Sequence, residues 1–208
     1  MSSKKITIVD YGLGNLFNVV RSFERLNADI TLTSDPKKLK TAEKVVLPGV
    51  GAFAAGMKGL YHYELSDAIL EYAKLERPLL GICLGMQLLM ESSEEHFVSP
   101  GLSMIEGVVD KLKSNQEFKT PHIGWNRLVV KQNSSPILKN LNDNTFMYFV
   151  HSYVVREKNK KLLVAETLYG EDKFCSVIQK NNIYGCQFHP ERSGAVGLKL
   201  LENFLKET

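Results

Sequence analysis

The sequence predicts an α/β domain whose first half forms a parallel sheet with helices on both faces and whose second half is rich in strands. Short apolar runs alternate with segments of helical periodicity as far as about Leu89, and strand-like runs separated by turn residues follow after about Gly101. Strands that alternate with helices are typical of parallel sheets covered on both sides. The length of 208 residues, 44% of them hydrophobic, favours one domain over residues 1–208.

The first half contains the alternating elements. The segment KITIVD, residues 5–10, is typical of a buried strand, and LGNLFNVVRSFERLN repeats apolar residues at helical spacing. Two further short strands, ADITLT and EKVVLPG, and the helix ELSDAILEYAKLE come next. That helix leads through Pro78 into the strand LLGIC. The alternation predicts that these strands lie parallel in one sheet.

The second half is a series of strand-like runs. They are SMIEGVVDKLK, NRLVVKQ, NTFMYFVHSYVVRE, KLLVAETLY and KFCSVIQKNNIYGCQFHP. Within the last run, Asn181 and Asn182 tolerate left-handed backbone and predict a hairpin. The segment AVGLKLLENFLKE predicts a closing amphipathic helix. Neither an internal repeat nor a low-complexity linker interrupts the chain, which again favours one domain.

Composition narrows the function classes. The chain has 26 Lys and Arg against 23 Asp and Glu, a net charge of +3, and this scattered charge does not favour binding to nucleic acids or membrane surfaces. The segment MSSKKITIVD lacks the apolar core and cleavage site of a signal peptide. No segment reaches the roughly 18 continuous apolar residues that a membrane helix needs. We therefore expect a soluble protein of the cytoplasm.

Cysteine usage and one glycine motif bear on metals and cofactors. Cys83, Cys175 and Cys186 lack CxxC spacing, which fits a reducing compartment and buried thiols. A zinc site at Cys186 and His189 is disfavoured, because residues three apart on a strand point to opposite faces. The segment DYGLGN is similar to a dinucleotide fingerprint, but Phe17 occupies the third glycine position. The sequence predicts neither a metal nor a cofactor.

The segment GICLGMQLL carries the strongest signal of chemistry. A strand passes into a helix without a loop, and Cys83 stands at the junction with Gly81 and Gly85 two residues away on either side. This is the spacing of a nucleophile elbow, in which side chains at the glycine positions would collide with the neighbouring strand and helix. A helix amino terminus favours the thiolate, and the Leu84 N–H is placed for an oxyanion. Because a cysteine that ends an apolar strand is also common in cores, this segment alone leaves a core role open.

A candidate base follows in QFHPERSG. Pro190 restricts His189 to extended backbone, and in an extended chain His189 and Glu191 lie on one face about 6.6 Å apart. The carboxylate would hold the imidazole tautomer while the other ring nitrogen exchanges a proton with the thiol. Parallel strands that end at one edge of the sheet would bring Cys83 and His189 together. A solvated turn with an incidental glutamate is the alternative.

The other four histidines have simpler interpretations. We expect two of them on the surface and two as satisfied, partly buried imidazoles beside apolar runs. The first two are His62 and His96, and the second two are His122 and His151.

A second glycine-rich stretch, LPGVGAF, follows its own strand. Gly49 and Gly51 allow the backbone to approach a ligand closely, and the N–H of Val50 or Gly51 is a candidate second oxyanion donor. An ordinary strand-to-helix turn is the alternative.

Three motifs together, PGVGAF, GICLGMQLL and HPE, resemble the class I, triad-type glutamine amidotransferases. The resemblance implies a single α/β domain of flavodoxin-like type, with a central mixed, largely parallel sheet flanked by helices. It also implies hydrolysis of the side-chain amide of glutamine to glutamate and ammonia. Within that class, IVDYGLGNL, ESSEE, PHIGWN and YFVHSY resemble the glutaminase subunits of imidazole glycerol phosphate synthase. The resemblance runs from Ile6 to the final helix.

The resemblance also implies residue roles. Cys83 would attack the amide carbon and form a glutamyl thioester, His189 would shuttle the proton, and Glu191 would orient His189. The amides of Val50 and Leu84 would form the oxyanion hole, with the Val50 peptide turning into place in the active state. The expected substrate contacts are Gly49, Gly51, Gln87, Glu95 and the backbone around Ser152 and Tyr153.

A partner is implied as well. The family pairs this subunit with a (β/α)8-barrel cyclase, which uses the ammonia to form imidazole glycerol phosphate and the nucleotide AICAR in histidine biosynthesis. Ammonia in bulk water at neutral pH is mostly protonated and unreactive, which gives a chemical reason for a sealed route between subunits. His122, Trp125, Tyr148 and Arg192 would face this partner. Many relatives have Lys where this chain has Arg192, which changes the geometry of any interface salt bridge.

Three alternatives stay open at this point. The chain could serve another synthase that makes anthranilate, GMP or aminodeoxychorismate, although VDYGLGNL and PHIGWN argue against it. It could be a docking subunit without catalysis, although an intact set of Cys83, His189 and Glu191 argues against that. It could also be a cysteine hydrolase of esters or peptides, because GxCxG alone indicates only acyl transfer.

Overall fold

The computed structural model describes residues 4–142 and 145–208, and their strands form a twelve-stranded sheet and a separate two-stranded sheet. The strands are β1 Lys5–Val9, β2 Asp29–Thr33, β3 Val45–Leu47, β4 Leu79–Ile82, β5 Met90–Ser93, β6 Ser99–Pro100, β7 Ile105–Lys111, β8 His122–Arg127, β9 Val129–Val130, β10 Phe146–His151, β11 Tyr153–Glu157, β12 Leu163–Tyr169, β13 Asp172–Lys180 and β14 Ile183–Cys186. The helices are α1 Leu16–Arg25, α2 Pro36–Thr41, α3 Phe53–His62, α4 Leu65–Lys74, α5 Leu84–Leu88 and α6 Gly194–Glu207. Single 3₁₀ turns cover Pro136–Leu138, Lys160–Leu162 and Pro190–Arg192.

The first half forms the parallel sheet that the alternating pattern predicts. Strand β1 lies between β2 and β3, and β3 pairs with β4, all in parallel. Helix α1 begins where the Asn15 side chain accepts a hydrogen bond from the backbone N–H of Asn18, which satisfies one free donor of the first turn. The predicted parallel arrangement of the first half is therefore confirmed.

The second half adds antiparallel strands to the same sheet, which makes it mixed. Strands β13 and β14 form the predicted hairpin, with left-handed backbone at Asn181 (φ 52°). Strand β13 also pairs with β11 and β12, and β11 pairs with β7. The main path of the sheet runs β2-β1-β3-β4-β14-β13-β11-β7-β5-β6.

Apolar side chains cover both faces of the large sheet. One buried cluster joins the sheet to α3, α4 and α5, and the other joins it to α1 and α6. Phe204 of α6 packs edge-to-face on Tyr184 of β14, and both side chains are buried. Burial of a side chain of this size contributes roughly 1.5–3 kcal/mol, so the closing helix is held mainly by its apolar face.

The pairing of β4 with β14 positions the functional site. These two strands are parallel, with Ile82 opposite Cys186, and both end at the same edge of the sheet. The next N–H, that of Cys83, donates to the carbonyl oxygen of Cys186 at 2.7 Å. Residues that follow β4 and residues that follow β14 therefore meet, although roughly a hundred positions separate them in the chain.

Within the described part of the chain, every helix is too short or too polar to cross a bilayer.

Candidate active site

Cys83 occupies a strained turn between β4 and α5. Its backbone has φ 53° and ψ −111°, a conformation that side-chain-bearing residues rarely adopt. A Cβ atom at Gly81 would lie 2.7 Å from the backbone nitrogen of Met86, and one at Gly85 would overlap the Leu47 carbonyl of β3. The two glycines are therefore required by the helix on one side and the neighbouring strand on the other, as the elbow spacing predicts.

His189 and Glu191 form a buried pair beside this turn. The His189 Nδ1 and Glu191 Oε1 atoms are 2.7 Å apart, and the two side chains are only 4% and 2% exposed. The expected contact exists, and His189 has the extended backbone predicted for a residue before proline (φ −100°, ψ 95°). The prediction that the chain stays extended as far as Glu191 is wrong. Pro190–Arg192 is a 3₁₀ turn, and this turn folds the carboxylate back onto the imidazole.

Backbone and hydroxyl contacts fix the position of the His189 main chain. Its N–H donates to the carbonyl oxygen of Tyr148 on β10 at 2.9 Å. Its own carbonyl oxygen accepts a hydrogen bond from the Ser193 hydroxyl at 2.7 Å. Ser193 Oγ in turn accepts from the Tyr148 N–H at 2.9 Å. The main chain of His189 is therefore held by hydrogen bonds to the small β8–β10 sheet, in addition to following β14 of the large sheet.

The electrostatics of the site favour a charged imidazole. Burial opposes the charge of His189, but the Cys83 sulfur and the Glu191 carboxylate outweigh it and raise the His189 pKa to about 10. Within the described residues, His189 Nε2 has no hydrogen-bond partner of normal geometry. The Cys83 sulfur is the largest of the influences that raise the His189 pKa. An imidazolium beside a sulfur can hold a thiolate ready for attack.

A cavity of about 320 Å³ opens in front of Cys83. Its lining residues come from the elbow, the glycine-rich turn after β3, the segment before β6 and the end of β10: they are Val50, Gly51, Cys83, Leu84, Gln87, Glu95, Val150, His151, Ser152 and Tyr153. All but one of the residues predicted to form the oxyanion hole and hold the substrate lie in this lining, and Gly49 is the exception. A larger cleft of about 590 Å³, lined by residues between Val130 and Asn142, contains none of the three triad candidates.

The glycine-rich turn lies against the first turn of α5. A Cβ atom at Gly49 would meet the Tyr11 hydroxyl and would lie 3.0 Å from Leu84 Cβ. Gly51 has φ +108°, which favours glycine, and apart from its chain neighbours no atom of the described residues lies within 4 Å of a Cβ placed there. Val50 between them is 40% exposed. The Val50 peptide therefore borders the cavity next to Leu84, where the sequence predicts two oxyanion donors.

Glu95 and Gln87 line the cavity and are also held by the protein. Glu95 Oε2 accepts a hydrogen bond from the Phe53 N–H at 2.6 Å, which caps the start of α3. Gln87 Nε2 donates to the Tyr153 carbonyl oxygen at 3.0 Å and to Gln187 Oε1 at 3.1 Å. Each side chain is thus fixed by one of its polar atoms and keeps another for a ligand.

Three of the four predicted partner-facing residues form one surface beside the cavity. Trp125 is 55% exposed and packs edge-to-face on Tyr148, its cross-strand neighbour. The Arg192 guanidinium lies over the Tyr148 ring, 4.5 Å from the ring centroid. His122 does not belong to this surface. It faces inwards, is 3% exposed and hydrogen-bonds to His151, so its prediction as a surface contact is wrong.

The alternation of β8 explains the error at His122. Successive residues on a strand point to opposite faces, and Trp125 stands an odd number of positions from His122. An exposed Trp125 therefore places His122 on the inner face of the small sheet. The expectation that His122 and His151 are hydrogen-bonded imidazoles is confirmed, and both are more buried than expected.

Sequence reasoning missed Gln187. This fully buried side chain follows β14 and places Nε2 at 3.7 Å from the Cys83 sulfur. A polar residue between Cys186 and Phe188 in an otherwise apolar run is the signal that could have found it. In the part of the chain that the structure describes, no group of three or more His, Cys, Asp or Glu side chains could hold a metal ion.

Comparison with known proteins gives the class of this site. The family described as glutamine amidotransferase class-I matches residues 7–208, and the chain belongs to that family. Its curated relatives include the imidazole glycerol phosphate synthase subunit HisH 1 of Legionella pneumophila (strain Paris), 44% identical over 97% of this chain and 98% of the relative. The HisH subunit of Methanosarcina barkeri (strain Fusaro / DSM 804) is 45% identical, again over 97% and 98%. Within its family the chain groups with the HisH subunits.

Solved structures support the fold. PurLQS from Thermotoga maritima has a TM-score of 0.75 at 19% identity, covering 100% of this chain and 99% of that one. The glutaminase domain of Trypanosoma brucei CTPS with bound acivicin has a TM-score of 0.68 at 18% identity, covering 97% and 94%. At such identities the likeness concerns the fold alone, and it is the mixed, largely parallel sheet expected from the sequence.

Proposed function

We propose that this chain is the glutaminase subunit of an imidazole glycerol phosphate synthase and that Cys83, His189 and Glu191 are its catalytic triad. The observation that carries the proposal is the buried His189–Glu191 pair beside a cysteine on a strained elbow. Carboxylate, imidazole and sulfur in that order are the arrangement of nucleophilic acyl transfer.

The reaction follows from the positions of these groups. The Cys83 thiolate attacks the side-chain amide carbon of glutamine, and the carbonyl oxygen becomes an oxyanion that the N–H groups of Val50 and Leu84 stabilise. Collapse of this intermediate breaks the C–N bond as His189 gives its proton to the leaving nitrogen, which departs as ammonia. A water molecule, deprotonated by His189, then attacks the thioester, and its collapse releases glutamate and the thiolate.

The cavity offers groups for the amino-acid end of glutamine. Glu95 keeps one carboxylate oxygen for the substrate ammonium, because the other accepts from Phe53. The backbone of Ser152 and Tyr153, together with Gly49, Gly51 and the Gln87 amide, surrounds the rest of the substrate. A glutamine residue within a peptide has no free α-ammonium group and could not form this ion pair with Glu95.

The partner proposal rests on the outward face of the β8–β10 sheet. Ile123, Trp125, Phe146 and Tyr148 expose apolar surface there, and Val150 on the same face also lines the cavity. Exposed aromatic side chains suit interface anchors. We propose that a (β/α)8-barrel cyclase covers this face and receives ammonia for the synthesis of imidazole glycerol phosphate and AICAR.

Arg192 gains a specific role in that interface. Its guanidinium stacks on Tyr148, and a stacked guanidinium still presents N–H donors at its edge. We propose that it pairs with a carboxylate of the cyclase.

We also propose that the protein acts in the cytoplasm, where histidine biosynthesis occurs.

The Cys83→Ala variant tests the triad. Assayed with its cyclase, it should lose glutamine-dependent product formation and keep synthesis from added ammonium salt, because only ammonia production needs the thiol. Loss of both activities would assign a structural role to Cys83 and overturn the proposal. Co-purification with anthranilate or GMP synthase instead of the cyclase would assign the chain to another pathway.

A further inference from the structure

A chain of hydrogen bonds, half-buried at its outer end and buried at the sulfur, joins the small β8–β10 sheet to Cys83. It begins at Asn126, next to the exposed Trp125, and passes through His122 and His151 to the Tyr153 carbonyl oxygen. From there it continues through the two glutamine amides, Gln87 and Gln187, to the sulfur. Its links measure 3.4, 3.1, 3.1, 3.0, 3.1 and 3.7 Å in that order.

The protonation states in the imidazole part of the chain are fixed by its ends. The Tyr153 carbonyl can only accept, so His151 Nδ1 carries a proton and His151 Nε2 accepts from His122 Nδ1. His122 Nε2 then accepts from the amide of Asn126. Burial lowers the pKa of His122 to about 4, and burial with the nearby His122 lowers the pKa of His151 to about 3. Both rings are therefore neutral, as this sequence of donors and acceptors requires.

The donors and acceptors of the glutamine part can be assigned as well. Gln87 Nε2 gives its two N–H groups to the Tyr153 carbonyl and to Gln187 Oε1. Because Gln187 Oε1 accepts that bond, the Gln187 amide is oriented with Nε2 towards Cys83. An N–H donor aimed at the sulfur stabilises the thiolate more than the thiol.

We propose that Gln187 is a positioning residue that holds the Cys83 thiolate and that His151 supports it through the Tyr153 carbonyl and Gln87. Gln87 and Tyr153, which also contact the substrate, belong to the same chain of hydrogen bonds. The nucleophile and the substrate contacts are therefore oriented together. The inference rests on the proposed triad, because Gln187 acts only through Cys83.

The test is the pH dependence of Cys83 alkylation by iodoacetamide, followed by mass mapping of the modified peptide in the full-length chain. Gln187→Met keeps the approximate volume of the side chain and removes its N–H donor. We expect the pH of half-maximal alkylation to rise by about 1 unit, since a hydrogen bond to a charged group is worth about one such unit. Gln179→Met is the matched control, because Gln179 lies on the same hairpin and, among the described residues, its side chain hydrogen-bonds only to the Asn181 carbonyl.

A second variant keeps the test decisive if methionine disturbs folding. Gln187→Glu preserves the acceptor for Gln87 but places an oxygen, and not an N–H, beside the sulfur. It should raise the half-maximal pH at least as far as methionine does. An alkylation profile equal to wild type in both variants would overturn the proposal.

Coupling along the chain needs a double variant. His151→Phe fits the aromatic surroundings of Phe149 and Phe174 and removes the link to Tyr153. We expect it to raise KM for glutamine several-fold. In the double variant with Gln187→Met, we expect KM to rise by less than the product of the increases in the two single variants. If the two KM increases multiply, His151 and Gln187 act independently, and their coupling through the chain of hydrogen bonds is refuted.

The failure of this inference is distinguishable from failure of the proposed function. If Cys83→Ala keeps glutamine-dependent synthesis, the triad is wrong whatever Gln187 does. If Cys83→Ala loses it while the Gln187 variants alkylate as wild type, the triad stands and only the positioning role is refuted.

Discussion

Replacement of Glu191 by glutamine tests the electrostatics of the site most directly. The substitution keeps the shape and an acceptor for His189 Nδ1, 2.7 Å away, but removes the charge. Two opposite charges about 4 Å apart interact by about 4 kcal/mol at an effective dielectric constant of about 20, which corresponds to about 3 pKa units. The pKa of His189, about 10 in the wild type, should therefore fall in Glu191→Gln, but by less than this, because the Cys83 sulfur is a larger cause of the raised pKa than Glu191 and stays in place.

This change makes the effect on stability depend on pH. A histidine whose pKa is raised on folding stabilises the folded state fully below its unfolded pKa of about 6.5, and the contribution is lost as pH rises through the folded pKa. We expect Glu191→Gln to lower the free energy of unfolding by about 3–5 kcal/mol near pH 6 and by progressively less as the pH approaches 10. Urea unfolding at several pH values measures this difference.

Two controls separate the charge effect from general disturbance. The Cys83 sulfur also raises the pKa of His189, and a Cys83→Ser background removes this contribution. Glu202→Gln alters a surface carboxylate paired with Lys199 and Lys206 and should change stability little at any pH. Equal destabilisation by Glu191→Gln at pH 6 and pH 10 would refute the buried ion pair. A His189 NMR titration that is unchanged in the variant would refute it equally.

Three further predictions concern the elbow, the partner surface and the substrate cavity. Gly85→Ala should destabilise the fold by about 3 kcal/mol or more, because its Cβ overlaps the Leu47 carbonyl, and thermal unfolding would show this; a wild-type melting temperature would contradict it. Trp125→Ala should weaken cyclase binding by about 30-fold or more in calorimetry. Leu75 is exposed at the end of α4, and Leu75→Ala should not weaken binding. Equal effects of the two substitutions would argue against the proposed face. Glu95→Gln should raise KM for glutamine more than it lowers kcat, and the reverse pattern would place Glu95 in the chemical step.

The turn around Cys83 and the β13–β14 hairpin could be predicted from a few neighbouring residues. The GxCxG spacing specifies a turn in which any larger residue at Gly81 or Gly85 meets backbone atoms, so five positions determine the conformation around Cys83. The tolerance of Asn181 for left-handed backbone likewise determines the β13–β14 hairpin. These features depend on neighbours in sequence, which are visible in the sequence itself.

Contacts between distant segments were not predictable in the same way. The 3₁₀ turn at Pro190–Arg192, which brings Glu191 onto His189, depends on hydrogen bonds from Ser193 and β10. The buried position of His122 depends on which face of β8 covers Phe149 and Tyr169. An isolated strand pattern does not say which of its two faces turns inwards when both carry aromatic or histidine side chains.

The residues of the sequence therefore determined the nucleophile turn, the alternation of strands and helices in the first half and the candidate members of the triad. Only the tertiary structure decided that β14 lies beside β4, which places Gln187 against the Cys83 sulfur and connects both to the histidines of the small sheet. The physical reason is that pairing of strands far apart in the chain depends on the packing of whole faces, whereas turn geometry depends on a few adjacent side chains.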